Sequence, residues 1–139
     1  MKKSRPVSEE EWRNILSDEE FSILRKKRTE PPFTGKYLDN KKKGAYKCAG
    51  CGSLLFSSAS KFDSGTGWPS FFEPVSKDSV ELKKDRELFM ERTEALCKKC
   101  GGHLGHVFSD GPKPTGLRFC INSAALKFNE GKKKIKIEK

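Results

Sequence analysis

Hydrophobic and polar positions alternate in two distinct ways along this chain. Near the start, Trp12, Ile15 and Leu16, and then Phe21, Ile23 and Leu24, recur at helical spacing. Ser8 followed by Glu11 matches a capping box for a first short helix. A second helix is expected from Asp18, ending before Pro31 and Pro32, because a proline disfavours helix in the residue before it. From Phe33 onward glycine and proline punctuate the chain, and the segments between them are short, aromatic and β-branched: GAYKCAG, SLLFSS, HLGHVFSD and LRFCINSAALKF. That pattern predicts antiparallel β-sheet. The stretch VELKKDRELFMERTEAL reads as two strands flanking a turn at KKDRE. The tail GKKKIKIEK reads as a frayed end or a short edge strand, because lysine-rich edges resist strand-to-strand association.

Composition narrows the class. A chain of 139 residues suits a single core, and ten Phe and two Trp supply the bulky apolar material that disordered chains lack. No apolar stretch reaches transmembrane length, and no secretory apolar run follows the basic N-terminus, so a cytoplasmic setting without a membrane partner is the default expectation. The formal charge of +10 is spread over short lysine clusters with acidic residues nearby, the pattern of a solvated face more than of a nucleic-acid surface.

Four of the five cysteines form two C-x-x-C pairs, Cys48 and Cys51 in CAGC and Cys97 and Cys100 in CKKC, each followed at once by glycine. Two thiolates with two residues between them reach one ion when the chain turns tightly, and glycine permits the turn. Together the pairs predict a closed tetrahedral site for one zinc ion, with iron as the alternative metal. Because a long stretch separates the pairs, the role would be structural. Four thiolates leave no open position for substrate, so chemistry must come from elsewhere.

Cys120 is the remaining thiol. A lone cysteine is commonly an inert buried hydrophobe, but here Arg118 and Asn122, two residues to either side, would share its strand face and supply a cation and an amide. Both histidines fall in HLGHVF, as further metal ligands, as acid or hydrogen-bond donors, or as imidazoles without chemistry. Trp68 in GTGWPSFF is either a rigidly presented aromatic face or a core residue.

With these motifs in place, KFDSGTGWPSF, HLGHVF and GLRFCINSAALKF, together with PFTGKY and the two C-x-x-C pairs, resemble the B-type methionine sulfoxide reductases from about Pro32 to about Phe128. The resemblance implies a mainly β fold of two antiparallel sheets with a short helical arm, one structural zinc on Cys48, Cys51, Cys97 and Cys100, and thiol-dependent reduction of the R epimer of methionine sulfoxide, in proteins or free. Length, helical periodicity and the extent of the match together give one domain over residues 1–139, with a helical arm (1–31), a catalytic core (32–128) and a basic tail (129–139). Cys120 would attack sulfur and become a sulfenic acid, His106 and Asn122 would handle the oxygen, and His103 would support them. Arg118 would favour the thiolate, and Trp68 and Phe119 would face the substrate. Many members carry a resolving cysteine just before GWPSF, where this chain has Thr66. Regeneration by an external thiol is therefore expected: thioredoxin, glutaredoxin or a small thiol, acting on a monomer. A zinc-ribbon module for nucleic acid and an inactive scaffold compete with this reading, but leave HLGHVF and RFCIN unexplained.

Overall fold

In the computed structural model of the chain, residues 9–87 and 90–130 are described, without the side chains of 85–91. Ser8 and residues 131–139 lie outside them, and with them the expected first capping box and the reading of the lysine-rich tail. The arm forms α1 (Glu9–Ile15) and α2 (Asp18–Lys26). The second starts at Ser17, whose hydroxyl accepts from Glu20 N (3.1 Å) while Ser17 N donates to the Glu20 carboxylate (2.9 Å), a reciprocal cap on two otherwise orphaned amides. It ends at Lys27 in the left-handed region, five residues before the second of the two prolines.

The remainder is mainly β, in two antiparallel sheets. The smaller has the order β2–β1–β9, built from β1 (Gly44–Cys48), β2 (Leu54–Ser57) and β9 (Leu126–Glu130). The larger runs β3–β4–β8–β7–β6–β5, from β3 (Lys61–Phe62), β4 (Ser70–Phe71), β5 (Val80–Glu87), β6 (Met90–Cys97), β7 (His103–Phe108) and β8 (Arg118–Ile121). Aromatic rings join the sheets. Tyr46 of β1 meets Phe71 of β4 edge-on at 5.1 Å, Phe56 of β2 stacks on Phe71 at 4.4 Å, and Phe119 of β8 lies 5.8 Å from Phe56. All four rings are buried, so the contact between sheets is the core.

One expected turn is displaced. KKDRE does not turn; residues 83–87 continue β5, whose register runs from Val80↔Cys97 to Glu87↔Met90. Lys83 and Lys84 are exposed, and a strand with a solvated face carries charged residues without being broken by them.

The chain passes from the larger to the smaller sheet just after Cys120, through a short 3-10 turn at Ser123–Ala125. Ala49 N donates to Ala125 O at 2.8 Å and fastens the crossing.

Candidate active site and metal centre

The two knuckles are built alike. Gly52 N donates to Cys48 O (2.9 Å) and Gly101 N to Cys97 O (2.8 Å), with both glycines in the left-handed region at φ 80° and 78°. Each thiol pair therefore hangs from the end of a strand, β1 in one sheet and β6 in the other. The four sulfurs lie within 4.8 Å of one another, with Cys48–Cys100 at 3.8 Å and Cys51–Cys97 at 3.5 Å. A zinc ion with sulfurs about 2.3 Å away has tetrahedral edges of about 3.8 Å, so the donor set and spacing fit a metal. Hydrogen bonds among the sulfurs set their titrations apart: the Cys51 thiol is pulled far down, by Cys100 first, and Cys48 is pushed far up, also by Cys100 first. A cation lets all four ionise together.

The helical arm covers this centre. Trp12 is buried against Gly50, the Arg25 guanidinium stands 4.8 Å over its ring, and Arg25 also donates to Cys100 O at 3.2 Å.

A separate shallow cavity opens around Cys120, lined by Thr66, Trp68, His106, Arg118 and Asn122, with Thr29, Arg92, Gly105 and Phe108. Strand register explains the cluster. His106 is the direct cross-strand partner of Cys120 between β7 and β8, and residues so paired share a sheet face with Cβ atoms about 5 Å apart. Arg118, two residues from Cys120, shares that face. Gly105 lets the strands close up, since a Cβ there would run into the Cys120 carbonyl.

Burial pushes the Cys120 thiol above its ordinary value; hydrogen bonding to Thr66 and the Arg118 charge oppose it without prevailing. Arg118 acts in the expected direction, but desolvation is the larger effect. Its guanidinium is itself gripped by Asp110, at 2.9 and 3.1 Å. Behind Thr66 runs a chain of hydroxyls: Thr66 to Ser64 at 2.8 Å, Ser64 to Ser70 at 2.8 Å, and Ser70 donating to Trp68 O at 3.1 Å.

Trp68 is half-buried, and its indole N–H donates to Glu30 O at 2.9 Å. Asn122 is buried; Oδ1 accepts from Glu30 N (3.1 Å) and Nδ2 donates to Leu104 O (3.0 Å), leaving one amide hydrogen for the cavity. His103 does not line the cavity. It is 1% exposed, bonds through Nδ1 to the Glu94 carboxylate at 2.7 Å, and has its ring centre 5.4 Å from that of His106. Phe119 also lies elsewhere, because adjacent strand residues face opposite ways: its ring belongs to the core beside Phe56, and the apolar ring at the cavity is Phe108.

The chain's model match is to the SelR domain, over residues 16–130. The chain belongs to the MsrB family. It is 58% identical over 123 residues to the peptide methionine sulfoxide reductase MsrB of Leptospira interrogans, covering 88% of this chain and 94% of that protein. It is 57% identical over 128 residues to the MsrB of Methanosarcina barkeri (90% of each) and 54% identical over 129 residues to that of Thiobacillus denitrificans (93% and 98%). Among the described residues no helix is long and apolar enough to cross a membrane.

Reading the sequence missed Glu30, Glu94 and Asp110, whose contacts span long sequence separations or lie outside any motif. A faint signal was available for Glu30: an isolated acid directly before two prolines, in a segment otherwise suited to be a plain linker.

Proposed function

We propose that this MsrB-family chain is a peptide-methionine (R)-S-oxide reductase that returns oxidised methionine, in proteins and free, to methionine, as a repair enzyme in the cytoplasm acting as a single-domain monomer. The observation that carries the reading is the pairing of Cys120 with His106 on one sheet face, beside Arg118, Asn122 and a half-exposed indole.

Cys120 is the nucleophile. While it is a thiol, the hydroxyl chain runs one way: Ser70 gives its proton to Trp68 O, so Ser64 donates to Ser70, Thr66 to Ser64, and the thiol to Thr66. On ionisation the Thr66 hydroxyl turns to donate to the thiolate, which Arg118 also favours. The thiolate attacks the sulfoxide sulfur, and as the thioether leaves the oxygen remains on Cys120 as the sulfenic acid, with His106 as proton donor and the free Asn122 amide hydrogen orienting that oxygen; His103, fixed by Glu94, supports His106 from behind. Trp68 and Phe108 hold the methyl side. The balance is one thiol plus one sulfoxide giving one thioether and one sulfenic acid at Cys120.

Thr66 cannot form a disulfide, so an external thiol (thioredoxin, glutaredoxin or a small thiol) condenses with the sulfenic acid and releases water. A second thiol then frees Cys120 and leaves as the external disulfide. The four knuckle cysteines would hold zinc, which supplies a cross-link and no open coordination position.

The test is incubation with each separated epimer of methionine sulfoxide and dithiothreitol, with product methionine measured. Turnover of the R epimer alone is expected. Absence of methionine from fully reduced, metal-loaded protein would refute the reading.

A further inference from the structure

Glu30 is a carboxylate that is only 5% exposed, near the start of the strap between α2 and the first strand. Burying a carboxylate is costly unless hydrogen bonds replace the lost water. Its own are directed at the chain just after Cys120: Oε2 accepts from Ser123 N at 2.8 Å and Oε1 from Ala124 N at 3.2 Å. The room for this exists because residue 35 is glycine; a Cβ there would collide with the Glu30 carboxylate and the Ser123 hydroxyl.

The backbone of the same residue faces the cavity side. Its carbonyl takes the Trp68 indole N–H (2.9 Å) and its N–H is given to the Asn122 side-chain oxygen (3.1 Å). The strap is braced on both sides of Glu30. Upstream, Lys27 closes α2 in a left-handed turn. Downstream, Pro31 and Pro32 restrict the backbone and Phe33 N donates to Gly67 O at 2.7 Å. One braced residue thus carries both the indole and the amide, from opposite ends of its main chain, and its side chain pins it to the segment that follows the nucleophile.

We propose that Glu30 is a positioning residue that fixes Trp68 and Asn122 in place relative to Cys120 and thereby decides which sulfoxide epimer is reduced. The inference rests on the reading of the cavity given above, in which the indole meets the methyl group and the amide meets the oxygen. An R and an S sulfoxide differ by exchange of these two contacts about sulfur, so discrimination depends on both unlike recognising groups being held in fixed positions relative to Cys120. A group held by a rigid support keeps that position; one free to shift accepts both arrangements. Glu30 touches no reacting atom in this scheme.

Glu30→Gln is the test, since it keeps the side-chain size yet places an NH2 against an amide that also donates. Far-UV circular dichroism and metal content should match wild type. The ratio of kcat/KM for the R epimer over the S epimer should fall at least tenfold, with the loss lying mostly in R-epimer turnover. In parallel, hydrogen exchange of the Trp68 indole N–H, assigned by comparison with Trp12→Phe, should be slow in wild type and at least tenfold faster in Glu30→Gln. An unchanged epimer ratio in folded Glu30→Gln overturns the inference, as does fast exchange of that N–H in wild type, which is measurable even where the variant fails to fold. Wild-type protein inactive on both epimers would instead refute the catalytic reading, while slow indole exchange would still show the tether.

Discussion

Removing the metal, or one of its ligands, should cost stability by an amount set by topology. Cys48 and Cys51 belong to the end of β1 in the smaller sheet, and Cys97 and Cys100 to the end of β6 in the larger. An ion on all four closes a loop from Cys51 to Cys97 of about 47 residues, a cross-link that the unfolded chain otherwise lacks. Treated as a cross-link that persists on the four thiolates of the unfolded chain, as a disulfide does, closing such a loop is worth about 4 kcal/mol at 25 °C. With an unfolding entropy of about 2.1 cal/mol/K per residue, that corresponds to a fall in Tm on the order of 12–14 °C for this chain. Cys97→Ser, with the sulfur of a fully buried residue replaced, and chelator-treated wild type should therefore melt together, well below the loaded protein. Calorimetry with parallel metal analysis on the three samples decides it. Stripped and loaded proteins melting within about 2 °C of each other, with metal loss verified, would refute the cross-link reasoning.

Three further outcomes follow from the same geometry. Cys120→Ser should abolish sulfoxide reduction, at least 100-fold, while leaving metal content and Tm unaltered, because Cys120 lies in the cavity and outside the four-sulfur cluster; enzyme assay and metal analysis read this out. Arg118→Met should move Cys120 alkylation by iodoacetamide to higher pH, because the charge opposing the burial-raised thiol is lost; an unmoved profile would remove Arg118 from thiolate stabilisation. Glu94→Ala should destabilise the fold by about 3 kcal/mol in urea titration, because it leaves the buried Nδ1 of His103 without its acceptor. Burial holds the folded-state titration of His103 below its ordinary value. Its contribution is therefore present above about pH 6.5 and lost as pH falls through the lower folded value, so wild-type stability should decline on the acid side.

Much of this molecule is legible from local pattern. Ser17 to Leu24 contains a helix because spacing and cap chemistry act within one turn, and CAGC and CKKC declare metal knuckles because both ligands of a pair and the glycine of their turn are adjacent in the chain. Arg118, Cys120 and Asn122 could be grouped because two-residue periodicity in an extended segment is also a local property. What only the tertiary structure decided depends on register and on distant partners. KKDRE stays in β5, in register as far as Glu87↔Met90, because pairing along both strands outweighs the turn preference of charged residues. His106 enters the cavity and His103 leaves it because of which one stands across from Cys120 on β8. Phe119 belongs to the core because its neighbour Cys120 takes the opposite face. Glu30 meets Asn122, Ser123 and Ala124 across more than ninety residues of chain. Periodicity reports which way a side chain faces within its own element, whereas such a meeting exists only after two sheets and an arm have packed, so no local pattern records it.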